Sequence, residues 1–164
     1  MAVAEKIGVA EYLSTDYEPD VDYVDGELIE RNMGEKSHGK AQLRLAMLLD
    51  NLGLFVLIET RLQIGEDRFR VPDVCAYANE PDEEVLRTPP LLCVEILSPE
   101  DRMARIESRI ADYFSIGVGT VWVVDPYSRN AWIYTGGHRV DVVDGVLRAG
   151  EIEVPLSALF PKSA

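Results

Sequence analysis

Two strand-like apolar runs, residues 70–77 and 91–98, each hold one carboxylate: Asp73 behind Pro72 in the first, Glu95 in the second. An ionised carboxylate inside an apolar run is costly unless an ion pair, hydrogen bonds or a metal answers it. Any fold of this chain has to supply that answer. Consecutive strands are commonly sheet neighbours, which would set the two acids side by side. Together with the backbone carbonyl of Ile96 they would form an all-oxygen donor set suited to Mg²⁺ or Mn²⁺. Such an ion activates water and stabilises charge developing on a phosphodiester. Glu27, after the Asp25-Gly26 turn, is a third candidate acid. A structural reading stands beside this one, with Asp73 and Glu95 paired to Arg70, Arg102 or Arg109.

Charge narrows the choice of partners. The chain has 164 residues and a net charge of −13. On average it repels nucleic acid, so a polyanion-binding face requires a local basic patch or metal ions. The length suits one domain, taken as residues 1–164, with a real core. Cys75 and Cys93 both fall in expected strands and read as buried reduced thiols, not a disulfide framework or a zinc site. The first residues lack the apolar segment of a signal peptide, and no run is long enough to span a membrane. A cytoplasmic protein is the resulting expectation.

Along the chain, Val9, Tyr12 and Leu13 mark a short helix over residues 9–14. Asp25-Gly26 between apolar runs predicts a hairpin. Residues 37–52 form the clearest helix, with Ser37 as N-cap and Gly53 as its stop. Strands are expected over 55–64, 69–77 and 91–97, the last apolar except for Glu95 and so covered on both faces. Residues 101–115 form a helix with Met103, Ile106, Ile110, Tyr113 and Phe114 on one face. A strand over 121–124 completes a right-handed parallel crossover with 91–97. Short antiparallel strands over 131–134, 139–143 and 146–147 precede a last helix near 156–159. The sum is an α/β (α+β) fold, a mixed sheet flanked by helices with a C-terminal antiparallel hairpin.

Several residues gain meaning from their order. Pro72-Asp73 followed by Glu95-Ile96-Leu97 resembles the PD-(D/E)XK nuclease pattern. The wider set narrows it: Tyr23-Val24-Asp25-Gly26-Glu27-Leu28, His38 at a helix start, Arg70-Val71-Pro72-Asp73-Val74, Val94-Glu95-Ile96-Leu97-Ser98-Pro99, Asp112-Tyr113 and Trp122-Val123-Val124-Asp125-Pro126. Together these look like the Uma2 family, formerly a domain of unknown function, over roughly residues 10–160. The resemblance implies a restriction-endonuclease-like fold and a Mg²⁺-dependent endonuclease acting on nucleic acid, most naturally DNA. Asp73, Glu95 and Ile96 would hold the metal, with Glu27 assisting. The superfamily pattern places a lysine two residues after the glutamate, and here that residue is Leu97. The family usually moves the lysine to the following helix, where this chain has Arg109. Arginine stays charged at any working pH and is no general base, but it can hold a water or stabilise a phosphorane-like charge.

Other residues carry two readings each. Arg102 and Arg105 are candidate phosphate contacts or a solvated helix flank; His38 is a polar member of the site or a helix-start histidine. His138 is read as a turn residue, and Trp122 and Trp132 as core or interface. A homodimer through the C-terminal hairpins is expected from Trp132 and Tyr134. The alternative function is a non-catalytic binding or assembly module on a nuclease fold, favoured by the negative charge and by Arg109.

Overall fold

The computed structural model describes residues 6–162. The chain begins with helix α1 (Val9–Ser14), hairpin β1 (Val21–Val24) and β2 (Glu27–Glu30), and helix α2 (Lys36–Asn51). Four strands follow: β3 (Phe55–Ile58), β4 (Leu62–Gly65), β5 (Arg68–Arg70) and β6 (Val74–Tyr77). Then come β7 (Leu92–Ile96), helix α3 (Met103–Ser115), β8 (Thr120–Asp125), β9 (Asn130–Thr135) and β10 (His138–Asp141). The pair β11 (Val146–Ala149) and β12 (Ile152–Pro155) and the turn-length helix α4 (Leu156–Leu159) close the chain.

Six strands form the central sheet in the order β10-β9-β8-β7-β6-β3, and four form a second sheet in the order β2-β1-β5-β4. Strands β7 and β8 are parallel and joined through α3; the other pairs of the central sheet are antiparallel. Alternate residues of its middle strands feed two cores. Val74, Ala76, Leu92, Val94, Trp122 and Val124 pack with Ala41, Leu45 and Leu49 of α2. Cys75, Cys93, Val121 and Val123 pack with Ile106, Ile110 and Tyr113 of α3. Period-2 strands thus meet the period-3.6 stripes of two helices, as expected of a doubly covered sheet. Cys75 and Cys93 face each other in register as free buried thiols.

A third core ties the N-terminus to the small sheet. Tyr12 stacks on Tyr23 at 4.9 Å between centroids, and Phe69 closes the cluster. The Tyr12 hydroxyl donates to the Val21 carbonyl at 3.1 Å, and the Arg61 guanidinium lies 4.5 Å over its ring. Each buried large side chain stabilises by about 1.5–3 kcal/mol relative to exposure, so three buried aromatics are enough to anchor a six-residue helix.

The structure divides two of the expected strands. Residues 55–64 split into β3 and β4 at Glu59, whose φ is +46°. Residues 69–77 split into β5 and β6 across Val71, Pro72 and Asp73, with the proline ending the ladder. In both cases one half belongs to the central sheet and the other half to the small sheet. The chain therefore crosses between sheets twice, and Asp73 sits at the second crossing. The tail differs as well: β11 pairs with β12, a strand the sequence pattern does not announce, and β10 pairs only with β9. Helix α2 starts one residue before Ser37, with Glu35 at the N-cap position and no side-chain cap.

Candidate active site

Asp73 lies one step beyond the Val74–Val94 pair of β6 and β7, which brings it beside Glu95. The loop-joined acids are therefore neighbours. Both are buried: Asp73 is 3 % and Glu95 1 % exposed. Asp73 Oδ2 accepts the Ile96 backbone N–H at 2.7 Å, so the acid reaches across to the strand that carries Glu95. Its Oδ1 accepts Arg31 Nη2 at 2.6 Å, with His38 Nε2 at 3.5 Å. Gln42 donates to its backbone carbonyl at 3.0 Å.

Glu95 points to the α3 side of the sheet. Its Oε1 accepts the Tyr113 hydroxyl in a short hydrogen bond, and its Oε2 pairs with Arg109 Nη1 at 2.8 Å. Tyr113 and Arg109 are four residues apart on α3, so both come from one helix face. Arg109 continues to Asp22 and donates to the Val71 carbonyl at 2.9 Å. Its Nε lies 3.2 Å from Asp22 Oδ2, within ion-pair reach but not aligned for a hydrogen bond.

Asp22 extends the network. It accepts the Val71 N–H at 2.9 Å and Arg70 Nη1 at 3.0 Å. Arg70 Nε pairs with Asp112 at 2.6 Å, and Arg68 Nη1 reaches the other Asp112 oxygen at 2.9 Å. Four acids (Asp22, Asp73, Glu95 and Asp112) thus face four arginines (Arg31, Arg68, Arg70 and Arg109). Every oxygen of these carboxylates has a protein donor.

Burial and charge pull the two central acids apart. Burial pushes Glu95 up to about 7, against the opposing pull of Arg109, and the Asp73 charge adds to the rise. Burial pushes Asp73 up as well, but its bond to His38 and the charges of Arg31, His38 and Arg109 outweigh it and hold the carboxyl below its usual range. Burial lowers His38, yet its bond to Asp73 and the carboxylate charge raise it on balance. Asp73 opens onto a cleft of about 440 Å³ lined also by Arg31, Asn32, His38 and Glu59. Asn32 shares a second depression of about 520 Å³ with Glu100, Arg102 and Arg105.

The sequence-derived candidates are distributed unevenly. Asp73, Glu95, Arg109, His38 and the Ile96 backbone come together. Arg102 and Arg105 stand at the second depression, and Arg105 also donates to the Glu30 carbonyl at 2.8 Å. Glu27 is exposed at the head of β2 opposite Val24, and no hydrogen bond or ion pair joins it to the central acids among the described residues. Asp22 is the acid from the first hairpin that does join them. The signal for it was present, since Val21-Asp22-Tyr23-Val24 is an apolar run with one carboxylate, as at Asp73. Arg31 carried no such signal. Among the described residues no three His, Cys, Asp or Glu side chains gather into a metal-binding group of their own.

A mixed sheet flanked by helices, with Asp73 and Glu95 brought together beside the parallel crossover, is the architecture the sequence led one to expect. The chain belongs to the Uma2 family, described as "Putative restriction endonuclease", whose family model matches residues 9–161. A crystal structure of a "putative nuclease belonging to DUF820" from Anabaena variabilis has the same fold. The two superpose with a TM-score of 0.79 at 21 % identity, covering 94 % of this chain and 97 % of the other. No curated protein matches the sequence.

Proposed function

We propose that this protein is a metal-dependent endonuclease that hydrolyses phosphodiester bonds in DNA. The observation carrying this reading is the buried Asp73–Glu95 pair, one acid just before β6 and the other on the adjacent β7, with Asp73 open to a cleft. Asp73, Glu95 and the Ile96 carbonyl are the oxygen donors that would hold Mg²⁺ or Mn²⁺, and hard oxygens fit such an ion. Bound there, the ion would lower the pKa of a coordinated water and neutralise charge on the phosphodiester. Arg31 would have to yield its place on Asp73 Oδ1, or share it. Arg31 keeps a buried Nε without a partner, so once it turns from Asp73 it is equipped to receive a phosphate oxygen in the cleft. Arg109 favours the ionised form of Glu95 but cannot take a proton, because its guanidinium stays charged. Arg102 and Arg105 supply further phosphate contacts beside Asn32. His38, with its Nε2 3.5 Å from Asp73 Oδ1, flanks the carboxylate from the α2 side.

The test is cleavage of labelled single- and double-stranded DNA with Mg²⁺ or Mn²⁺. Activity in wild type and none in Asp73→Ala is the expected result; equal traces in both would sink the reading. A second reading follows from Arg31 seated on Asp73 and from Arg109 at the lysine position: a nuclease fold kept as a binding or assembly module. Calorimetric titration separates the two, since the module requires no uptake of Mg²⁺ or Mn²⁺.

The same proposal places the protein in the cytoplasm as a homodimer. No helix of the described residues is long and apolar enough to cross a membrane. Tyr134 is buried and Trp132 half-buried within the chain itself, so they leave little for a partner. The exposed edge strand β10 is the better dimer surface, and light scattering of Val140→Lys tests it.

A further inference from the structure

The chain carries 16 lysines and arginines against 29 acids, yet one pocket gathers four of those cations with no acid in its lining. Lys36, Lys40 and Arg44 line it from α2, and Arg129 from the turn between β8 and β9. The helical three are spaced i, i+4 and i+8, so they form one ridge. Among the described residues none of the four pairs with a carboxylate; Arg44 only donates to the Leu159 carbonyl at 3.4 Å. The nearby acids are already engaged: Glu35 accepts the Tyr127 hydroxyl, and Asp125 accepts the Tyr127 N–H and the Ser128 hydroxyl. The cavity holds about 270 Å³, and Phe160 and Pro161 form part of its wall. Unpaired cations beside flat apolar groups suit a phosphate with an adjoining base or sugar.

We propose that this pocket is a second DNA-backbone site, which anchors the strand outside the cleft that opens on Asp73. The assignment rests on the endonuclease reading above and extends it. His38 and Gln42 look toward Asp73 from α2, while Lys36 and Lys40 occupy another flank of the same helix. A helix is about 10–12 Å across, and phosphates along one strand of duplex rise about 3.4 Å each. A strand crossing the start of α2 therefore meets the cleft and the pocket a few nucleotides apart. The pocket also gives a strongly acidic chain a local attraction for a polyanion, with no acid in its own lining.

The experiment is fluorescence anisotropy of a labelled DNA duplex across a salt series in EDTA, where no cleavage intervenes. The variant is Lys36→Ala/Lys40→Ala/Arg129→Ala, three exposed side chains. Arg87→Ala, an exposed cation outside both the cleft and the pocket, is the single-charge control, against which the loss per cation removed is compared. Each lost phosphate contact lowers the slope of log K against log salt by about 0.9. The triple variant should lose about two to three from the slope and at least tenfold in affinity near 0.1 M salt, and the control should lose little. Equal losses per cation removed in variant and control, or none in either, overturn the assignment. If wild type cleaves DNA with Mn²⁺ and the triple variant keeps its slope, only the pocket assignment falls; if wild type neither binds DNA nor cleaves it with Mn²⁺, both readings fall. Slope loss with an RNA duplex alone would also overturn it.

Discussion

The acid–arginine network behind Asp73 and the basic pocket on α2 hold the same number of cations but differ in what answers them. In the network, Arg31, Arg68, Arg70 and Arg109 each meet a carboxylate between 2.6 and 3.0 Å away. Its members are buried or half-buried, so the charges interact through a poorly screened interior. In the pocket, Lys36, Lys40 and Arg129 are exposed and, among the described residues, pair with no carboxylate. The same residue types therefore do two jobs. Buried arginines offset acids that would otherwise be too costly to hold in the core, and the outer cations remain free for a ligand. Removing a charge should be costly to stability in the first region and nearly neutral in the second.

The largest expected effect is on activity. Asp73→Ala removes the acid common to Arg31, His38 and the Ile96 N–H and should lower DNA cleavage on the order of 10³-fold, comparable to losing an oxyanion-stabilising donor. A single-turnover assay with Mn²⁺ measures it, and a loss below tenfold would remove Asp73 from the chemistry.

Stability separates the two regions next. Arg109→Met leaves Glu95 and Asp22 short of their shared cation. Breaking a buried pair from one side costs about 3–5 kcal/mol. Urea denaturation should show the midpoint falling at nearly constant m. The triple pocket variant should stay within about 0.5 kcal/mol of wild type, as surface changes usually do. Equal costs in the two would erase the distinction.

Arg31 is the one network arginine at the cleft wall. Arg31→Ala frees Asp73 Oδ1 and should tighten Mn²⁺ binding about tenfold, or about 1.4 kcal/mol, by calorimetry. Weaker binding would show that Arg31 supports the metal instead of occupying its place. Arg109→Lys should raise the cleavage rate a few-fold if the arginine limits catalysis, at some loss of the bond to the Val71 carbonyl.

The pH dependence is the most gradual effect. With its carboxyl raised from 4.5 to about 7, folded Glu95 holds a proton that the unfolded chain has released. Stability should therefore rise as pH falls from about 7 toward 4.5, by up to about 1.4 kcal/mol per unit. His38 acts in the same sense: raised in the fold, its contribution is complete below 6.5 and is lost as pH rises through its folded value. Asp73, lowered, opposes only in more acid solution, where its contribution is lost as pH falls below 3.8. Glu95→Gln should flatten the slope between pH 5 and pH 7; an unchanged slope would mean that Glu95 does not titrate there.

Much of the site was legible because its signals are local. Asp73 and Glu95 stand out as single acids in apolar runs, and one loop between their strands suffices to make them neighbours. Arg109 came from the family resemblance, which moves the usual lysine to the following helix. The fold class follows from period-2 and period-3.6 patterns and from one parallel crossover. The tertiary structure decided what depends on distant contact. Asp22 meets Arg109 across 87 residues and Arg31 meets Asp73 across 42, and neither strand pattern nor helix spacing specifies such a partner. The two strand breaks were hidden for a related reason: alternation continues through Glu59 and through Val71–Asp73 while the backbone leaves one sheet for another. The sequence alone thus marked two acids that had to be answered inside the core. Only the packing of two sheets and α3 decided that arginines would share it with them, because ion pairs between separate elements form where the chain's ends of contact are brought together in space, not where they lie in sequence.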